Sequence, residues 1–113
     1  MGLVMLELIE QLAGKLGIPV RAQGALRLIR LQDCGRIVEA CRSSKVLILG
    51  IEAFTLSEGK VVPDTDLIAD FSELATRQWD AACLESALSA ETYFIAIKDR
   101  TDVWFDFSLQ GRE

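Results

Sequence analysis

The stretch Lys45–Phe71, KVLILGIEAFTLSEGKVVPDTDLIADF, decides the fold. Its first half, Val46–Phe54, has large apolar side chains at both parities: Leu47, Leu49 and Ile51 on one side, Val46, Ile48 and Phe54 on the other. A strand that is apolar on both faces belongs in the middle of a sheet. Gly50 leaves a gap on the second face, where a neighbouring group can approach the backbone. Ser57-Glu58-Gly59-Lys60 reads as a tight turn, after which Val61 and Val62 lead into Pro63. Proline has no N–H to give to a ladder, so this second strand lies at an edge or carries a bulge. Beyond it the residues alternate again, with Leu67, Ala69 and Phe71 on one side and Asp64, Asp66, Ile68 and Asp70 on the other. A helix over Asp66–Leu74 is the competing reading, since Leu67, Phe71 and Leu74 also stand at helical spacing.

Upstream, Leu3–Leu16 places Leu3, Leu6, Ile9, Leu12 and Leu16 along one side of an amphipathic helix, ended by Gly17 and Pro19. Its acids, Glu7 and Glu10, speak against a cleaved leader and against a membrane-surface helix, which favours Lys and Arg. Ala25–Leu31 fits a strand and a helix almost equally; Gly24 before it and Asp33 after it, as a helix cap, favour the strand. Asp33–Ser43 reads as a helix with Cys34, Ile37, Val38 and Cys41 inward.

Downstream, Leu74–Ala90 reads as a helix capped by Ser72, burying Trp79, Cys83 and Ala87 with Leu84 and Leu88 beside them. Thr92–Lys98 and Val103–Leu109 read as a closing hairpin, the last strand turning Val103, Phe105, Phe107 and Leu109 inward and Trp104, Asp106 and Ser108 outward. Residues 110–113 read as a frayed tail. The expected architecture is therefore α+β: one domain over residues 1–113, with a mainly antiparallel four- to five-stranded sheet and about three helices. The order is α-β-α-β-β-α-β-β, and one sheet face is left partly open.

Composition narrows the function classes. A chain of 113 residues, half of them apolar, can build a core without metal or disulfide. Its apolar runs are too short to span a bilayer, which takes roughly 20 residues. Three cysteines with no CxxC pair suit a reducing cytoplasm and core packing. Residues 1–45 hold seven bases against four acids, whereas the remainder holds thirteen acids against five bases, so the net charge of −5 is concentrated in the second part. That surface repels nucleic acid and attracts a basic protein.

Catalysis has little to work with. The chain has no histidine, and neither GxSxG, a P-loop, GxGxxG nor CxxC occurs. An enzyme built on paired carboxylates is the weakest alternative. Asp64, Asp66 and Asp70 do not make a metal site: alternate residues of a strand stand about 7 Å apart, too wide for one ion. Leu67-Ile68-Ala69 also stands where an EF-hand needs further ligands. No catalytic residue, metal or cofactor is therefore assigned. The candidate partner-binding set is Glu52, Asp64, Asp66, Asp70, Trp104 and Asp106, acids around an aromatic anchor. The plain alternative for the acids is a solvated edge that keeps the sheet from pairing with others.

The LILGIEAF strand, the PDTDLIADFSEL segment, the Ala/Leu helix after it and the closing WFDF strand resemble small bacterial immunity proteins of polymorphic toxin systems, over about residues 25–109. The resemblance implies a small acidic cytoplasmic protein that binds a basic toxin and occludes it. The alternative from the residues themselves is a homodimer or other interaction module that associates through a strand edge or the first helix.

Overall fold

The computed structural model describes residues 7–112. The elements are α1 (Leu8–Leu16), β1 (Arg21–Gln23), β2 (Leu26–Arg30), α2 (Leu31–Ser44), β3 (Leu47–Ser57), β4 (Lys60–Asp70), a 3-10 turn (Ser72–Thr76), α3 (Trp79–Ala96) and β5 (Val103–Gln110). The five strands form one antiparallel sheet in the order β1-β2-β5-β3-β4. This is the α+β architecture expected, with β3 flanked on both sides and β4 at an edge.

The helices share one face of the sheet. Ile9, Leu12 and Ala13 of α1, Ile37, Val38 and Cys41 of α2, and Ala87, Ala90 and Phe94 of α3 pack on Ile29, Ile48, Ile51, Ala53, Phe105 and Phe107. The first helix begins at Leu8; the part expected from Leu3 to Leu6 lies outside the described residues. It ends at Gly17, whose φ of 69° lets the N–H groups of Gly17 and Ile18 fold back on the carbonyls of Gly14 and Ala13. The Arg36 guanidinium then donates to the Leu16 carbonyl at 2.8 Å, tying α2 to that end.

The β3–β4 hairpin turns where the sequence places it. Ser57 pairs with Lys60, and Glu58 and Gly59 both have positive φ, 51° and 77°, the conformation whose twist matches a two-residue hairpin. Gly50 serves the close approach its position suggests, since a Cβ there would stand 3.0 Å from the Ala69 carbonyl oxygen of β4. Beside Pro63 the edge strand bulges: Ile51 pairs with Ala69 but Ala53 already pairs with Asp64, so β4 takes five steps where β3 takes two.

Five expectations are corrected. Thr92–Lys98 is not a strand, because α3 continues through it to Ala96. The β-prone residues of TYFIAIK are held in the helix by packing: Phe94 stands edge-on to Phe105 at 5.0 Å between ring centroids and also contacts Phe107. The fifth strand is instead β1, a three-residue exposed edge paired with β2. The cap of the last helix is Gln78, whose Oε1 accepts the Ala81 N–H at 2.8 Å, and Ser72 opens the separate 3-10 turn. Asp33 does not cap α2, which starts two residues earlier; it lies in the first turn, 3.6 Å from the Arg30 guanidinium. Residues Leu84 and Leu88, expected beside the buried stripe of α3, are exposed. The tail is shorter than expected, since Gln110 still belongs to β5 and pairs with Leu47.

One buried polar side chain supports the sheet from within. Where β3 slips by one residue against β5, between Ile48 and Gly50, the Ile48 N–H donates to Ser86 Oγ at 3.2 Å, and Ser86 in turn donates to the Cys83 carbonyl. The three cysteines are free and buried, and burial pushes the Cys41 thiol up to about 12, so it stays protonated and packs as a small hydrophobe.

Candidate functional site

Strand register sets which candidate residues meet. On β5, Phe105 and Phe107 point to the helices, so Trp104, Asp106 and Ser108 point away from them. Glu52 of β3 pairs directly with Asp106, Phe54 with Trp104, and Gly50 with both Ser108 and Asp70. Glu52, Asp70, Trp104 and Asp106 therefore share the sheet face that, among the described residues, carries no helix. Glu52, Asp70 and Ser108 line one shallow hollow there, with Gly50 in its floor.

The other two acids leave this group. Asp64 pairs with Ala53, a core-face residue, and its carboxylate meets the Arg100 guanidinium at 3.1 Å at the end of α3. Asp66 sits exposed in the bulge, where its N–H donates to Asp64 Oδ1 at 3.2 Å. The bulge breaks the strict alternation from which a single acidic face was expected. It is pinned from the helix side by Tyr93, whose hydroxyl donates to the Leu67 carbonyl. Burial first, and the nearby Cys34 and Asp64 next, push the Tyr93 phenol up to about 12, so it remains a donor at neutral pH.

The three acids of the shared face differ in state. Asp70 accepts the Ser72 N–H at 2.9 Å, and hydrogen bonding to Ser72 holds its carboxyl below the usual range. Asp106 is half-buried, and burial raises its carboxyl; Glu52 and Glu7 add to the rise, while the Arg27 N–H donated to Asp106 Oδ1 at 3.2 Å opposes it. Glu52 is exposed. Two carboxylates facing each other across adjacent strands repel, so the pair is a ready seat for a positive group from outside.

Residues that the sequence did not single out complete the face. Arg21 of β1 stacks over the Trp104 ring, 5.6 Å from its centroid, and Arg30 of β2 pairs with Trp104 across the ladder. Leu28 and Phe54 beside them are buried. The face is thus graded, basic and aromatic towards β1 and β2, acidic towards β3 and β4. Only the β1–β2 pairing brings Arg21 to Trp104, and a three-residue edge strand leaves no periodic signal by which to foresee it.

Among the described residues no three of His, Cys, Asp or Glu come together as a metal site, and no helix is long and apolar enough to cross a membrane. Comparison with protein-family models, with curated proteins and with solved structures finds no match to this chain.

Proposed function

We propose that this chain is a non-enzymatic protein-binding module that takes a basic partner on the helix-free face of its sheet, in the manner of an immunity-type inhibitor occluding a toxin in the cytoplasm. The observation that carries the reading is the direct opposition of Glu52 and Asp106, with Asp70 lining a hollow beside Glu52. A lysine or arginine placed between Glu52 and Asp106 relieves their repulsion and forms charge-assisted bonds to both. Trp104, braced by Arg21, supplies the large flat contact that anchors interfaces of this kind. The net charge of −5 steers a basic protein towards the encounter and makes association fast and salt-sensitive.

The test uses the wild-type chain and the double charge reversal Glu52→Lys with Asp106→Lys as baits for proteins of the source organism, at low and at high salt. The expected result is a basic protein retained at low salt by the wild type, released by salt and not retained by the reversed chain. Retention of the same proteins by both baits, or of no basic protein at low salt, removes this reading.

A further inference from the structure

The third helix is apolar on two sides. Its inner side packs into the core, while Leu84, Leu88 and Ile95 on the outer side are 44%, 45% and 61% exposed. A helix that only covers a sheet needs one apolar stripe. Together with Glu91 the outer residues step by four, three and four, the spacing of a two-helix seam. The seam runs beside an open groove of about 510 Å³ between α2 and α3, to which Leu31, Val38, Phe94 and Ile95 contribute.

The charges at its ends identify what covers it. Asp80 stands on the same stripe in the first turn of α3, and Lys98 stands just beyond the last. Both lie nine residues from Ser89, one acidic and one basic. An arrangement with opposite charges at equal distances from its midpoint is complementary to itself when one helix is turned end for end. A parallel partner would bring like charges together at both ends.

We propose that α3 packs antiparallel against α3 of a second copy of this chain, about a two-fold axis beside Ser89. This pairing sets Leu84 opposite Ile95 of the second copy and Leu88 opposite its Glu91, and brings Asp80 within one residue of its Lys98, over a length of about 27 Å at 1.5 Å per residue. Asp80 already lies 3.3 Å from Lys45 and 4.0 Å from Arg112, so the second copy's Lys98 joins an existing charge cluster at the rim. The interface lies on the helix side of the sheet, so it leaves Glu52, Asp70, Trp104 and Asp106 of both copies uncovered by the pairing. This inference stands apart from the partner proposed above, since it uses neither Glu52 nor Asp106.

Sedimentation over about 1–100 μM should show a reversible dimer. Leu88→Asp should weaken it by about a hundredfold or more, as truncation or charging of a central contact does. Lys98→Asp should weaken it by about fivefold at low salt, and adding Asp80→Lys in the same chain should restore it, because rim charges act as pairs. Glu91→Leu, which completes the apolar seam, should tighten it. A monomer throughout the range overturns the inference. So does a dimer that Leu88→Asp leaves unchanged while its far-UV spectrum stays native. If Leu88→Asp does not fold, the Lys98 and Asp80 variants decide: a dimer indifferent to both single reversals overturns the inference equally.

Discussion

Glu52 and Asp106 face each other across β3 and β5, and Asp106 also accepts the backbone N–H of Arg27. A carboxyl raised by folding binds its proton more tightly in the folded chain than in the unfolded one, so its ionisation costs stability. For Asp106 that cost is absent below the ordinary value of 3.8, grows as pH rises through the raised value, and is constant above it. Asp106→Asn keeps an acceptor for Arg27 and removes the charge. In urea melts at pH 7 it should be more stable than the wild type by about 0.5 kcal/mol, the scale of a cross-strand like-charge pair. The difference should close at pH 3, whereas an Asn variant less stable at pH 7 would count against the repulsion.

Ser86 is the polar residue on which the β3 irregularity rests. Ser86→Ala leaves the Ile48 N–H buried without its acceptor. Loss of about 1–3 kcal/mol is expected from denaturant unfolding, the cost of stranding a buried donor. Hydrogen exchange of the Ile48 amide should rise with it.

Gly50 is confined by the backbone rather than by a movable side chain. A methyl group there meets the Ala69 carbonyl oxygen at 3.0 Å, so β4 must shift. Gly50→Ala should cost about 1–3 kcal/mol, as overpacking does. The amides of Ala69 and Asp70 should show the largest chemical-shift changes.

Asp64 lies off the shared face, paired with Ala53 and facing Arg100. Asp64→Asn keeps the acceptor for the Asp66 N–H and removes the charge facing Arg100. It should lower stability by about 0.5 kcal/mol, the measure of a partly exposed ion pair. Partner affinity should change less than twofold, in contrast to Glu52→Lys. An equal loss from both variants would return Asp64 to the binding face.

Much of the sheet was legible because its central strands carry a period that only burial explains. Val46–Phe54 is apolar at both parities, and Val103–Leu109 alternates cleanly, so β3 and β5 follow from parity; the slip between Ile48 and Gly50 breaks that parity, and only the β3–β5 register puts Glu52 beside Asp106. Parity also failed where the chain is not a regular ladder. The residues inserted beside Pro63 turned Asp64 to the other face, although proline itself announced an edge or a bulge. Local preference misled at TYFIAIK, where Phe94 packs edge-on against Phe105 from within the helix. Leu84 and Leu88 looked inward because apolar residues on a helix are usually its buried side; they are the ones left outside. Arg21 over Trp104 depends on a pairing that no spacing records.

The strand order has a consequence for how the chain is made. Hairpins β1–β2 and β3–β4 are local, but within the sheet they are joined only through β5, which follows both in sequence. Without Val103–Gln110 the sheet is two separate ribbons, and closing it requires contacts between residues such as Leu28 and Asp106 that are far apart in sequence. Closure of the sheet through β5 should therefore be the slow step of folding. Loss of the last dozen residues would remove the strand that makes the two ribbons one protein.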